Sequence, residues 1–303
     1  MIVCFYNLYR SSCWMNFMQN VQPLSLVTTL VILRSNGESK SLGTGFFYQH
    51  SNGFIFLATN YHVITGISPS ERGVKPFIGD SIDIQLRDKT GKLFKHTMPL
   101  FKDGSPLWLE HPTDKEADII LMPLPQELFV NTGVKVVSKT TTLPNVQINP
   151  SSPVVMIGYP HGYHDTTHYL PIWKTGSLAS EPDIDFDGKK LIVVDISAFP
   201  GMSGSPAFYV THSGYLTKEG NMIMDMGMKI HFLGVYASMQ MLNSDLFLEQ
   251  VVSAAEYKVS HSESLQLGHV WKAELLEEIA ATSSPIATKP SQFQSNSKFL
   301  FKY

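Results

Sequence analysis

Residues 200–206 read Pro200-Gly201-Met202-Ser203-Gly204-Ser205-Pro206. Two glycines around one serine permit a tight loop in which backbone N–H groups converge beside the Ser203 hydroxyl. Ser205 falls outside that geometry and reads as packing behind the loop. A serine hydroxyl is a poor nucleophile at neutral pH, so it needs a base in reach and a group that holds the base in one tautomer. Alone the stretch is only a turn; what precedes it gives it weight.

Upstream, Thr59-Asn60-Tyr61-His62-Val63-Ile64 follows an apolar run, which places His62 at a strand end, where loops present side chains to a cleft. Ala117-Asp118-Ile119-Ile120-Leu121 puts an acid at the head of an apolar strand. Asp80, Asp83, Asp88, Asp103 and Asp114 also follow His62, and Asp118 is preferred because it directly precedes Ile119-Ile120-Leu121. His62 would take the Ser203 proton while Asp118 accepts from the other ring nitrogen. The amides of Gly201 and Ser203 would donate to a developing oxyanion, worth about 3 to 4 kcal/mol per donor. Fifty-six residues separate His62 from Asp118 and eighty-five separate Asp118 from Ser203, enough to put the first two on one lobe and the serine on another.

The rest of the chain has the punctuation of a β protein, with short β-branched or aromatic runs broken by Gly, Asn, Asp and Pro. Strands are expected at 26–33, 42–48, 54–59, 82–86, 119–124 and 134–137, then at 154–159, 169–178, 191–196, 207–210 and 229–238. The expected fold is all-β: two packed six-stranded antiparallel β-barrels with a C-terminal α-helix. Residues 23–137 form the first barrel, 138–153 the linker and 154–260 the second barrel. Residues 261–281 form the helix, from the spacing of Leu267, Val270, Trp271, Leu275, Leu276 and Ile279. Residues 1–22 read as disordered or as an upstream artefact of start-site choice, with Met15 and Met18 as alternative starts, and 282–303 as a flexible tail. Residues 211–228 form an insertion whose methionines, 222 to 228, read as gap-filling packing.

Composition excludes several classes. The chain has 303 residues, 16 % charged, 43 % hydrophobic and 11 % aromatic, a globular balance with room for a large core. Net charge is −3, from 23 basic and 26 acidic residues, with no basic stripe for nucleic acid. No apolar run reaches the roughly 20 residues of a membrane span, so no membrane insertion is expected, and no signal peptide is read at the start. The two cysteines, Cys4 and Cys13, leave everything downstream without a disulfide, which suits a reducing, bacterial cytoplasmic location, although a periplasmic protein lacking disulfides would look the same. His161, His164, Asp165 and His168 have metal-like spacing but lie in an irregular loop and read as surface histidines. His50, His96, His111, His212, His231, His261 and His269 read as structural. No metal and no cofactor is expected, and the sequence sets no oligomeric state.

With these residues in place, the sequence resembles the trypsin-like (chymotrypsin-fold) serine proteases, in the bacterial disulfide-free branch related to the high-temperature-requirement proteases. The resemblance rests on Gly43 to Phe47, Thr59 to Ile64, Ala117 to Leu121, Asp195 with Pro200 to Pro206, and Gly234-Val235, over about residues 24 to 240. Ile157 to Gly162, Pro171-Ile172 and Gly176 to Ser180 add support. It implies a serine endopeptidase acting on protein or peptide substrates through His62, Asp118 and Ser203 and an acyl-enzyme. It also implies a substrate pocket at Ser197, Tyr236 and Ala237, where the uncharged Ser197 favours a small or apolar residue. Met202 stands where digestive members carry an Asp, so activation by N-terminal trimming is not expected. The peptide-binding modules that follow the protease domain in high-temperature-requirement proteases find no room after Ser238. The alternative is a catalytically inactive protease-fold module that binds extended peptides.

Overall fold

The computed structural model describes residues 20–125, 127–130, 132–248 and 257–282. The readings for residues 1–19 and for the tail beyond Thr282 lie outside them.

In the first lobe β1 (Thr28–Ser35), β2 (Glu38–Gln49), β3 (Ile55–Thr59), β4 (Ser81–Arg87) and β5 (Leu93–Pro99) form antiparallel ladders. A short ribbon, β6 (Phe101–Lys102) with β7 (Ser105–Pro106), precedes β8 (Leu109–Glu110) and β9 (Ile120–Pro123). The sheet order is β5-β4-β1-β2-β3-β9-β8, and β10 (Val137–Ser138) adds to β2 in parallel. Helix α1 (Tyr61–Thr65) follows β3 and α2 (Glu127–Val130) follows β9. The first lobe is therefore an eight-stranded sheet, in which the described ladders do not close a ring, rather than six strands.

The second lobe is a closed six-stranded barrel, β11 (Pro153–Gly158), β12 (Ile172–Leu178), β13 (Leu191–Asp195), β14 (Pro206–Thr211), β17 (Lys229–Leu248) and β18 (Tyr257–Lys272). Here the expectation of a helix from residue 261 is corrected: β18 runs to Lys272 and closes the barrel between β13 and β17. Only α3 (Glu274–Ala281) is helical. Leu267, Val270 and Trp271 belong to a strand and Leu275, Leu276 and Ile279 to a helix, and the two runs abut so closely that together they mimic one helical face. The segment 138–153 carries Val146 and Ile148 into the second-lobe core, so it packs on that lobe. The methionine reading is also corrected. Met222, Met224 and Met226, on or beside the ribbon of β15 (Tyr215–Leu216) and β16 (Met222–Ile223), are 61 %, 74 % and 78 % exposed, and only Met228 packs on the core.

Helix α3 wedges between the lobes. Leu275, Leu276 and Ile279 join Phe46, Phe56 and Ile119 of the first lobe and Phe208, Phe232 and Trp271 of the second in one buried cluster. Each buried leucine contributes about 1.5 to 3 kcal/mol. Polar contacts repeat the pattern: Tyr48 donates its hydroxyl to Glu277, while Glu278 accepts from His111 at 2.7 Å and Lys190 at 2.6 Å. His50, which lies 3.1 Å from Glu277, and His111 thus have acid partners that the sequence did not reveal. The Lys190 ammonium, and then His111, holds the Glu278 carboxyl below its ordinary range. Since the folded state lowers this pKa, its stabilisation is present above the ordinary carboxylate value and is lost as pH falls through the lowered one. Urea unfolding should therefore show a stability gap between wild type and Glu278→Gln at pH 7 that narrows toward about pH 3. A gap that widens in acid would contradict the pairing.

Candidate active site

Ladder register brings His62 and Asp118 together. Strand β3 pairs with β9 through Ala58↔Leu121 and Thr59↔Ile120, so the residues just past Thr59 come to lie beside those just before Ile120. The Asn60 side-chain amide donates to the Asp118 carbonyl at 2.6 Å, and the His62 backbone N–H donates to Asp118 Oδ1 at 3.1 Å. His62 Nδ1 then donates to Asp118 Oδ2 at 2.5 Å, which leaves Nε2 with its lone pair. Gly66, at φ 75°, ends α1 by donating to the His62 carbonyl.

The Ser203 loop is held from both lobes. Thr44 Oγ1 donates to the Gly201 carbonyl at 2.8 Å and accepts from Tyr159 N at 3.0 Å, while Thr44 N donates to the Ser203 carbonyl at 2.8 Å. Gly201 (φ 93°) fits a space where a Cβ would sit 2.5 Å from the Tyr159 carbonyl. The Pro200 carbonyl accepts from His161 N and the Met202 carbonyl from Ser205 N. Those bonds turn the amides of Gly201 and Ser203 the other way, and among the described residues neither has an acceptor. Met202 and Ser205 are fully buried under the loop.

Ser203 and His62 line one cleft of about 1000 Å³, together with Asp118, Phe199, Tyr236 and Ala237. The serine hydroxyl donates to the Ala237 carbonyl at 2.9 Å, and no hydrogen bond joins it to His62 in this structure. Ala237 is the extra residue of a β-bulge, since Tyr236 pairs with Val270 and Ser238 with His269, and the bulge presents its carbonyl to the serine. Burial pushes the Tyr236 phenol up. Ser197, expected in the pocket, is not among the cleft-lining residues, whereas Tyr236 and Ala237 are. Glu116 of the first lobe pairs with Lys189 of the second at 2.7 Å on the cleft wall.

His168 pairs with Asp165 at 2.8 Å, His164 Nδ1 donates to the Gly162 carbonyl at 2.5 Å, and no group of His, Cys, Asp or Glu able to hold a metal occurs among the described residues. No helix among them is long and apolar enough to cross a membrane. His269 is corrected from structural to cleft-lining. Reading its strand as a helix hid it, and its two-residue offset from Leu267 and Trp271 is the alternation that could have exposed it.

The trypsin-like peptidase domain family profile matches residues 43–214, which contain His62, Asp118 and Ser203. No curated protein matches the sequence. Among solved structures the chain is similar to a serine endoprotease from Yersinia pestis (13 % identity, TM-score 0.45, covering 88 % of this chain and 65 % of that one). It is also similar to the thermostable serine protease AL20 from an extremophilic microorganism (10 %, TM-score 0.46, covering 87 % and 100 %). A third is a scabies mite inactivated protease paralogue, S-I1 (15 %, TM-score 0.40, covering 86 % and 99 %).

Proposed function

Because the chain belongs to the trypsin-like peptidase family, we propose that it is a serine endopeptidase working through His62, Asp118 and Ser203. The observation that carries this reading is the hydrogen-bonded His62–Asp118 pair in the cleft that Ser203 also lines. Rotation of the serine side chain away from the Ala237 carbonyl directs its proton to His62 Nε2. Ser203 Oγ then bonds to the substrate carbonyl carbon while the carbonyl oxygen takes the negative charge. The two acceptor-free amides of Gly201 and Ser203 receive that oxyanion. His62 returns the proton to the leaving amine, the C–N bond breaks, and water enters through the same base to release the acid and restore Ser203. Asp118 stabilises the imidazolium and keeps the neutral ring in the productive tautomer. Substrate is an extended polypeptide laid along the β17 edge beyond Tyr236, where pairing with β14 has ended.

The hydrogen bond from Ser203 to Ala237 favours one second reading, a peptide-binding module in which the serine stays parked. Fluorophosphonate labelling separates the two. The endopeptidase reading expects stoichiometric labelling of wild type and none of Ser203→Ala. Wild-type protein that resists the probe while still binding peptides would establish the module instead.

A further inference from the structure

The cleft contains a second imidazole besides that of His62. His269 and Ser238 are a directly opposed pair on β18 and β17, both line the cleft, and Ser238 Oγ lies 3.3 Å from His269 Nδ1. Ser238 follows Ala237, whose carbonyl accepts from the Ser203 hydroxyl, and His269 lines the same cleft as Ser203. The Phe186 ring, centred 6.2 Å away, forms the facing wall. Burial lowers the pKa of His269, against an opposite pull from Asp187 and with a further small lowering by Lys189, which favours the neutral ring. With Nδ1 engaged by Ser238, Nε2 has no partner among the described residues.

Building on the endopeptidase reading, we propose that His269, held by Ser238, determines specificity by hydrogen bonding a carboxamide side chain, Gln or Asn, within two residues of the cut bond. A neutral ring offers one donor or one acceptor at Nε2, according to tautomer. A carboxamide carries both and satisfies either; a carboxylate can only accept and an ammonium can only donate. Carboxylates also meet Asp118 and Asp187 among the cleft-lining residues, while Lys189 is already paired to Glu116. Phe186 and Trp271 shelter the methylene stem. A cleft polar group left without its partner penalises an apolar analogue, which turns one hydrogen bond into discrimination of roughly tenfold or more.

The test is a peptide series carrying Gln, Leu, Glu or Lys at each of the two positions on either side of the cleaved bond. At one position wild type should show kcat/KM for Gln about tenfold above Leu. That ratio should collapse to about one in His269→Ala, shrink in Ser238→Ala, and survive in part in His269→Gln, which also decides the matter if the alanine variant does not fold. A ratio unchanged by His269→Ala, or a wild-type preference for Glu, Lys or Leu, overturns the proposal. Fluorescence anisotropy of the same peptides on Ser203→Ala, with and without His269→Ala, separates the two readings. A His269-dependent Gln preference in binding without wild-type hydrolysis sinks only the peptidase reading. Hydrolysis without such a preference sinks only this one.

Discussion

Ser203→Ala is expected to cut peptide hydrolysis by a factor on the order of 10⁴ or more while leaving the fold intact. The hydroxyl makes one hydrogen bond, to the Ala237 carbonyl at 2.9 Å, and its removal should destabilise the protein by only about 0.5 to 1.5 kcal/mol. The chemical cost is far larger, and the nearest serine in the loop cannot take its place: Ser205, two residues on, is fully buried. On the endopeptidase reading, what would survive is transition-state stabilisation by the Gly201 and Ser203 amides acting on attack by water. His62→Ala should fall to a similar level, and the double variant no lower than the worse single one, since a base without its nucleophile has no function to lose. Initial rates on a fluorogenic peptide, with thermal melts confirming folding, measure this. Ser203→Ala activity within tenfold of wild type would remove the serine from the mechanism.

The geometry of the candidate site was legible because its motifs are local. Each motif sits at the end of a strand, and the Thr59↔Ile120 register converts two such ends into a bonded pair. The rival acids turn out to be occupied elsewhere. Asp83 is buried against Arg34 and Thr97, Asp80 accepts from Asn36 N, and Asp88 and Asp114 accept backbone N–H groups within their own turns. Asp103 occupies a turn at φ 51°. Strand β18 was not legible, because its apolar spacing runs into that of α3 and periodicity over so short a run does not tell a strand–helix junction from a helix. Nor was Thr44. The motif Gly43-Thr44-Gly45 is visible, but its bonds to Tyr159, Gly201 and Ser203 reach across to the other lobe, and nothing in neighbouring residues encodes that. The place of α3 between the lobes is hidden for the same reason: an amphipathic stripe announces a buried face without naming what buries it.

Gly204→Ala should destabilise the protein by about 2 to 5 kcal/mol, and this follows from two independent costs. Its φ of +87° lies in the region that L-residues disfavour by about 1 to 2 kcal/mol. The added Cβ would also stand 1.9 Å from the Thr44 carbonyl oxygen and 2.4 Å from Thr59 Oγ1. These are not yielding neighbours, since the Thr59 hydroxyl donates to that same carbonyl at 2.7 Å within the β2–β3 layer. The loop must move instead, against the bond from Gly204 N to the Tyr236 carbonyl at 2.8 Å, carrying Ser203 with it. A shift of about 1 Å at the nucleophile costs on the order of 100-fold in rate, so even folded protein should be nearly inactive. Gly53 provides the control: its φ is +91°, but a Cβ there meets nothing within 4 Å, so Gly53→Ala incurs only the backbone term. At about 2 to 4 °C per kcal/mol, calorimetry should find Gly204→Ala melting roughly 10 °C below wild type and Gly53→Ala within about 5 °C of it. Equal shifts would mean that conformation alone, and not the contact with Thr44, sets the requirement for glycine beside the serine.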